Sequence, residues 1–493
     1  RTGNSLFLAD WWPTEGYKVS VENSSYKIIN ESEIPIRYTE RNLDSIEVAT
    51  HNSNFELDFS ARNIKAKSYE ELSPSFRDMA PSVSVALEKF QLEGVEGESS
   101  NWKNFGKWQY DHLVAGQGVL SDAIVRKISE LTKDAETKEE KARIIYKYVQ
   151  DNTRYIAVNL GIGGWKPYSA QEVGRLGYGD CKGLTNYTKA LLQSQGIDSD
   201  YTVIYGGPRR NIDPDFTKMQ GNHVILSIPR EGKDDIWLEC TSQDSPFNYM
   251  GDFTDDRYAL KVKPTGGEIV RTKKYAAEDN LQKTKASVKL NQNGGFRAKL
   301  EKSSYGVPYG EIYRLDLQTE DTKKNFYLEH WPHFQNLTFD SINLDNDKVK
   351  IEFTENLNFH ADRYCNIAGD RLLLPLTFVD EFDLNVEKDK NRKNIIKIER
   401  GESYKDIFSY ELPEGYTVEA VPDSQEIQTE FGRMSLKISI ERTDEKEMIL
   451  VDRYLKLEEG EWQPEKFENF TNFITQIHQL SNQRAVIAPI SKT

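Results

Sequence analysis

Alternating apolar and polar positions dominate both ends of the chain and predict strands there. In residues 14–95 a partial two-residue period runs through YKVSVEN, DSIEVATHN, FELDFSARNIKA and VSVALEKFQL, which are separated by Asn, Ser, Pro and Gly. Beyond residue 275 the same texture returns between charged turns, as in IEFTENLNF and MSLKISIE. We therefore expect a β-sandwich-like N-terminal domain and a β-rich C-terminal region.

Helical periodicity replaces this alternation in the middle of the chain. Thr137 with Glu140, and Ser169 with Glu172, are capping-box signatures at two predicted helix starts. A third helix is predicted from apolar residues at i, i+3, i+7 and i+8, which are Leu184, Tyr187, Leu191 and Leu192. Near the C-terminus PEKFENFTNFITQIHQL predicts an amphipathic helix with Pro464 at its start.

Length and pattern together predict a multidomain α+β protein. The chain has 493 residues, which is too long for one ordinary core because domains span ~100–200 residues. We divide it into an N-terminal β-rich domain, a central α+β core, a β-rich domain and a C-terminal β-rich domain with the terminal helix. The predicted bounds are 1–116, 117–275, 276–400 and 401–493.

Composition argues against several classes of function. The formal net charge of −15 disfavours nucleic-acid binding, which needs basic patches. No apolar run approaches the ~20 residues of a membrane span, and the chain opens RTGNSLFLADWWP with neither a signal peptide nor an initiator Met, as a mature or trimmed chain would. We expect no cofactor and no metal, because Cys-x-x-Cys is absent and the closest histidine pair, His330 and His333, lacks a further ligand at suitable spacing.

Cys181 is the first candidate for chemistry. It follows Gly-Tyr-Gly-Asp at the start of the third predicted helix, and the only other cysteines are Cys240 and Cys365. The dipole and the free N–H groups of a helix N-terminus favour a thiolate. The helix alone leaves three interpretations of Cys181 open: a nucleophile, half of a disulfide, or a small core residue. The odd number of cysteines leaves at least one thiol unpaired within the chain.

A predicted hairpin downstream supplies a base for this thiol. GNHVILSIP and IWLECTS are predicted strands joined by the turn PREGKDD, and a register centred on Glu231 places His223 opposite Glu239. The opposite face of the hairpin is then uniformly apolar and includes Cys240, which we assign to the core. A thiolate enzyme needs an imidazole, and the imidazole needs an acceptor that fixes its tautomer. Cys181, His223 and Glu239 are therefore a candidate catalytic triad.

These segments resemble the transglutaminase-like superfamily of papain-type cysteine enzymes, and within it bacterial proteins whose core lies between β-rich domains. The matching segments are YGDCKGLTNYTKALLQSQGI, GNHVILSIP and IWLECTSQDSPF, and the likeness covers about residues 120–275. The resemblance implies a cysteine at the start of a helix packed on an antiparallel sheet. Carried over by position, Cys181 is the nucleophile, His223 the base and then the acid, and Glu239 stands where the superfamily usually has Asp.

The resemblance also implies an activity, which is acyl transfer from a peptide, a protein or another amide with a thioester intermediate. We expect water to release the thioester, as in a peptidase or amidase. A non-catalytic binding or assembly protein and an amine-accepting cross-linking transglutaminase are the alternatives.

Two further expectations rest on the same resemblance. Superfamily members often place an indole near the oxyanion, so Trp165 in GIGGWKP is a candidate for the oxyanion or substrate wall, with plain packing as the alternative. Such proteins usually carry export signals, which favours a periplasmic or secreted location. The oligomeric state is open.

Overall fold

The chain folds as two compact units. The computed structural model describes residues 5–32, 34–53, 55–157, 164–443 and 446–490. The first unit comprises Arg1–Tyr69 with Ser75–Lys274, and the second comprises Glu70–Pro74 with Tyr275–Thr493. The predicted multidomain α+β fold class is confirmed by the order of the elements. None of the described helices is long and apolar enough to cross a membrane.

The N-terminal part of the first unit consists of small antiparallel sheets. Its elements are β1 Val21–Ile29, β2 Ile36–Arg41, a 3₁₀ turn at Leu43–Ser45, β3 Val48–Thr50, β4 Glu56–Ile64, α1 Phe76–Met79, β5 Ser82–Leu87, β6 Lys89–Leu92 and β7 Val95–Glu98. The sheets have the orders β1-β4-β3, β2-β5 and β6-β7. Phe59 of β4 and Val83 and Val85 of β5 share a buried core with Trp11, so the first two sheets pack on common apolar residues.

The central part of the first unit packs helices on a five-stranded sheet. Its elements are α2 Trp102–Gln109, a π-helical turn at Tyr110–Val114, α3 Asp122–Leu131, α4 Lys138–Asn152, β8 Arg154–Tyr155, α5 Ala170–Leu176, β9 Tyr178–Gly179, α6 Cys181–Ser194, β10 Asp200–Ile204, β11 His223–Arg230, β12 Lys233–Leu238, β13 Tyr258–Lys263 and β14 Gly266–Arg271. The sheet has the antiparallel order β12-β11-β10-β13-β14. Both predicted N-caps, Thr137 and Ser169, are present, and Thr137 forms a reciprocal capping box with Glu140.

Helix α6 packs on the sheet through the face predicted from its apolar spacing. Leu184, Tyr187, Leu191 and Leu192 are all buried in one core, together with Leu226, Ile228, Ile236 and Leu238 of β11 and β12. The Thr185 hydroxyl donates to the carbonyl of Val224 at 3.2 Å and ties the first turns of α6 to the start of β11. This packing fixes the N-terminus of the helix relative to the strand that begins at His223.

Helix α2 belongs to the central sheet, although the predicted boundary after residue 116 assigned it to the N-terminal domain. A Cβ on Gly106 of α2 would come within 2.2 Å of the Cα of Gly267 in β14. Two glycines therefore permit a backbone contact that no other residue pair allows at this spacing. The boundary moves upstream to about residue 101, and α2 becomes part of the central core.

The predicted hairpin is correct in its strands and faces but wrong in its register. Leu226 pairs with Leu238 and Ile228 with Ile236, a shift of two residues from the predicted partners. The ladder is irregular between Ile228 and Arg230, where Pro229 has no N–H to donate. A shift of two preserves the face of every side chain, whereas a shift of one would reverse it. His223 and Glu239 therefore still share a face, as diagonal rather than direct neighbours.

The second unit is built on an eight-stranded sheet. Its elements are β15 Leu281–Leu290, β16 Phe296–Ser304, α7 Gly306–Ile312, a 3₁₀ turn at Tyr313–Leu317, α8 Glu320–His330, β17 Thr338–Asp347, β18 Glu352–Ala361, β19 Asn366–Ala368, β20 Arg371–Pro375, β21 Ile396–Ile398, β22 Glu402–Glu411, β23 Tyr416–Ala420, β24 Gln425–Thr429, β25 Gly432–Arg442, β26 Glu447–Leu457, β27 Gly460–Trp462, a 3₁₀ turn at Pro464–Lys466, α9 Phe467–Ser481 and β28 Arg484–Pro489. The large sheet has the order β17-β18-β16-β15-β22-β26-β25-β24, and a smaller one the order β19-β20-β28-β23. The predicted amphipathic helix is α9, whose buried face includes Phe467, Phe470, Ile474 and Ile477.

The predicted division of this region near residue 400 is corrected by the large sheet. Strand β15 lies before residue 400 and β22 after it, yet the two strands pair in parallel along nine residues, from Leu281 with Ser403 to Lys289 with Glu411. A domain boundary cannot separate two strands that satisfy each other's backbone hydrogen bonds. The segments 276–400 and 401–493 therefore contribute to one folded unit.

Candidate active site

Cys181 is the first residue of α6, where its sulfur meets the positive end of the helix dipole. Asp180 caps the helix, since its carboxylate accepts the N–H of Gly183 at 2.9 Å and also pairs with the Lys182 ammonium. The cap uses only one of the free N–H groups in the first turn. Cys181 is 8% exposed, and its remaining surface faces a cavity.

The buried His223 and the partly buried Glu239 form a hydrogen-bonded pair close to this sulfur. The distance between His223 Nε2 and Glu239 Oε2 is 2.8 Å. The other carboxylate oxygen of Glu239 accepts the Thr241 N–H at 3.0 Å and the Thr241 hydroxyl at 2.5 Å. The Tyr146 hydroxyl donates to the backbone carbonyl of Glu239 at 2.8 Å, so α4 holds the segment that carries this carboxylate. With Nε2 engaged by Glu239, the Nδ1 of His223 is the ring nitrogen left for the thiol of Cys181.

The charges around His223 hold its ring in the protonated form. Burial by itself lowers the pKa of His223, but the Glu239 carboxylate and the Cys181 sulfur outweigh it and raise the pKa from 6.5 to about 10. Burial raises the pKa of Glu239, whereas His223 and Thr241 lower it, and the net shift is downward. The Phe253 ring lies edge-to-face with the imidazole, with ring centroids 5.2 Å apart.

A cavity of about 380 Å³ opens onto the sulfur and the imidazole. Its walls come from α2, the π-helical turn, β10 and the segment that precedes β11. Trp165 lines it and stacks on Phe7, with ring centroids 5.0 Å apart. The first residues of the GIGGWKP turn, 161–163, lie outside the described residues. The cavity is the place where a substrate carbonyl could reach Cys181.

Two polar residues of this cavity were not identified from the sequence. Gln109 is 5% exposed at the end of α2, and no hydrogen bond joins its carboxamide to another described residue. Tyr201 of β10 is 3% exposed, and its pKa is raised by burial first and by Cys181 and Asp180 next, so its hydroxyl stays protonated. The π-helical turn directly after Gln109 is a feature often found at functional sites. No spacing in the sequence indicates that turn.

The other two thiols are buried, and all three cysteines are free. Cys240 is buried in the core between α6 and the sheet, and burial raises its pKa to about 12. Burial also raises the pKa of Cys365 to about 12. Among the described residues no group of three or more His, Cys, Asp and Glu side chains has the arrangement of a metal site.

Comparison with known proteins gives this core a family. Residues 125–243 match the model of the transglutaminase-like superfamily, a range that contains Cys181, His223 and Glu239. The central region of the chain is a transglutaminase-like core. Residues 370–487 match DUF3858, a domain of unknown function, and that range also crosses residue 400.

A solved structure extends the likeness beyond the transglutaminase-like core. The crystal structure of a "putative protease" from Parabacteroides distasonis matches 96% of this chain and 73% of its own, with a TM-score of 0.56 and 14% sequence identity. At this identity the likeness shows the fold alone. The comparison with curated proteins gives no match.

Alkylation of Cys181 with iodoacetamide across pH tests the charges of this core. In the native protein the cationic ring of His223 lies beside the sulfur and stabilises a negative charge there, so alkylation at acidic pH should be faster than it would be without that charge. His223→Ala removes the counter-charge, and the alkylation rate at acidic pH should then be lower. At pH 6 we expect the rate to fall roughly 10- to 100-fold. Mass spectrometry of the labelled peptide measures the rate at Cys181.

His51→Ala is the matched control, because His51 is an exposed histidine of the same unit outside the cavity. It should leave the alkylation profile unchanged. Cys240 and Cys365 should stay unlabelled in the folded protein, because neither lines the cavity and burial raises the pKa of both thiols. An equal pH profile for native protein and His223→Ala would contradict the electrostatic account.

Proposed function

We propose that this chain is a cysteine hydrolase that cleaves a peptide or another amide with Cys181, His223 and Glu239. One observation carries the proposal. The imidazole of His223 lies beside Cys181 and is held by Glu239 at 2.8 Å, at the edge of a cavity of about 380 Å³ that opens at the start of α6. Groups with perturbed pKa values beside a cavity are typical of active sites. The likeness to a fold that includes a "putative protease" supports the same class.

The proposed reaction has two halves. The Cys181 thiolate attacks the amide carbonyl carbon, and the tetrahedral intermediate expels the amine, which takes its proton from the His223 imidazolium. A thioester to Cys181 remains, and His223 is now neutral. Water then attacks the thioester while His223 removes a proton from it, and the carboxylic acid leaves as the Cys181 thiolate and the imidazolium are restored. Glu239 orients the ring and stabilises its charge throughout.

The negative oxygen of the tetrahedral intermediate needs donors, and two groups of this cavity can supply them. Backbone N–H groups of the first turn of α6 have no intrahelical partners, and only that of Gly183 is used by the Asp180 cap. The Gln109 carboxamide lines the same cavity, with no other described partner. We assign Gln109 as the side-chain donor to the oxyanion and Trp165 as the adjoining wall.

Incubation of the native protein with a complex mixture of peptides tests the proposed hydrolysis. Mass spectrometry should find peptides with new termini, each cleaved product having gained one water. Cys181→Ser should abolish the cleavage while its folding, followed by circular dichroism, is unchanged. The same incubation with added primary amine should give the same free acids, because water is the acceptor.

Each other result points to one of the alternatives. Amine-linked products in place of acids would identify an amine-accepting transglutaminase. Retention of peptides without cleavage by both the native protein and Cys181→Ser would identify a binding protein. The expected periplasmic or secreted location stays a prediction.

Gln109→Ala tests the oxyanion assignment. The variant should lower kcat by roughly 10²- to 10³-fold, as the loss of one oxyanion donor does elsewhere, with little change in KM. The rate of Cys181 alkylation should not change, because alkylation forms no oxyanion. Gln193→Ala, an exposed position near the end of the same helix as Cys181, is the control and should behave like the native protein. A Gln109→Ala enzyme with native kcat, or one whose alkylation rate falls with kcat, would rule out the assignment.

A further inference from the structure

A second cavity of the first unit lies next to the catalytic one and is lined by cationic side chains. It measures about 480 Å³, and its cations are Arg41, Arg77, Arg209, Arg210 and Lys218. Three acidic residues, Asp10, Asp78 and Asp213, also line it. The excess of cations is notable in a chain whose formal net charge is −15. We call this cavity the arginine cleft.

Most of these cations already have carboxylate partners. Arg41 pairs with Asp213, Lys218 Nζ lies 2.6 Å from Asp10, and an Nη of Arg209 lies 2.6 Å from Asp256. These pairs account for three of the five positive charges. In these three pairs the carboxylate neutralises the cation, and the ion pair links segments of the cleft wall.

Arg77 and Arg210 differ, because no ion pair joins either of them to a described carboxylate, although Asp10 and Asp78 lie near enough to Arg210 to influence it. The guanidinium of Arg210 stacks 3.9 Å from the centroid of the Tyr205 ring, and that of Arg77 lies 5.1 Å from the Trp12 ring. Each ring limits the positions of its guanidinium and leaves the N–H edges available. Burial lowers the pKa of Arg210, and the charge of Arg77 lowers it further, so the two cations are near enough to repel each other. A bound anion would relieve that repulsion.

The arginine cleft and the catalytic cavity share a wall. Met219 and Gln220 line both cavities. Phe7 lines the cleft and stacks on Trp165, which lines the catalytic cavity. Gln220 is itself fixed, since it accepts the N–H of Asp213 at 3.0 Å and donates to the carbonyl of Phe216 at 2.9 Å. A peptide substrate whose scissile amide lies at Cys181 can therefore extend across the wall formed by Met219 and Gln220 into the arginine cleft.

We propose that the arginine cleft is a substrate subsite in which Arg77 and Arg210 bind a carboxylate of the peptide cleaved at Cys181. The inference rests on the proposed function and narrows its substrate class to acidic peptides. Guanidinium groups match a carboxylate with paired N–H donors, and a site pre-organised by stacking loses little entropy on binding. The carboxylate belongs either to an Asp or Glu side chain or to the C-terminus of the peptide.

The test compares matched peptides in hydrolysis. From the peptides cleaved by the native protein, each acidic residue is changed to its amide, and separately the C-terminus is amidated. Removal of the recognised carboxylate should lower kcat/KM roughly 10- to 100-fold, mainly through KM, because the subsite is remote from the reacting atoms. In the Arg77→Gln/Arg210→Gln protein the acidic and amide peptides should be cleaved equally well. If the change of an acidic residue to its amide lowers kcat/KM, the bound carboxylate is that side chain. If amidation of the C-terminus lowers it, the bound carboxylate is the terminal one.

Arg126→Gln is the control, because Arg126 is an exposed arginine of the same unit that lines neither cavity. It should keep the native preference. Arg210→Glu adds a second variant, which should shift the preference from acidic to basic peptides. Native cleavage with no preference for acidic peptides would overturn the inference, and so would an equal loss for acidic and amide peptides in the arginine variants.

A binding measurement separates failure of this inference from failure of the proposed function. Fluorescence anisotropy with Cys181→Ala and labelled peptides reports affinity without turnover. The acidic peptide should bind Cys181→Ala more tightly than its amide counterpart does. This difference should disappear in the triple variant Cys181→Ala/Arg77→Gln/Arg210→Gln. Such a result would support the subsite even if the native protein hydrolysed nothing. Equal affinity for acidic and amide peptides would overturn it, whatever the hydrolysis assay shows.

Discussion

The hydrogen bond between His223 and Glu239 is the interaction on which the candidate site depends. It places a carboxylate 2.8 Å from a buried imidazole and outweighs the burial that would otherwise make the ring neutral. Without it, the ring would have neither a fixed tautomer nor a charge to share with Cys181. The rest of the core positions the reacting groups: α6 begins at Cys181 and places its sulfur, and β11 begins at His223 and places its ring.

The length of the Glu239 side chain fits the geometry of the hairpin. Glu239 directly follows the end of β12 and lies diagonal to His223 rather than opposite it. Diagonal neighbours in a sheet are farther apart than direct ones, and the additional methylene of Glu relative to Asp helps the carboxylate to span that distance. Thr241 donates to the second carboxylate oxygen, so both oxygens of the longer side chain are held by hydrogen bonds.

The sequence predicted the features that follow from local patterns. The start of α6 at Cys181, its buried face, the N-caps at Thr137 and Ser169, and the shared face of His223 and Glu239 all depend on spacing within one or two elements. The register was wrong because an irregularity at Pro229 depends on pairing rather than on alternation. Gln109 was missed for a similar reason: its position depends on the contact between Gly106 and Gly267, which lie far apart in the chain. The predicted division near residue 400 was wrong because the sequence pattern of a strand does not show which other strand it pairs with, and β15 pairs with β22 across that position.

Titration of the His223 ring by NMR tests the central claim most directly. The chain has seven histidines, and the His223 signal can be assigned by its absence from His223→Ala. We expect this ring to remain protonated through neutral pH and to titrate near pH 10, because Glu239 and Cys181 raise its pKa. A ring that titrates near its ordinary value of ~6.5 would contradict the charged His223–Glu239 pair.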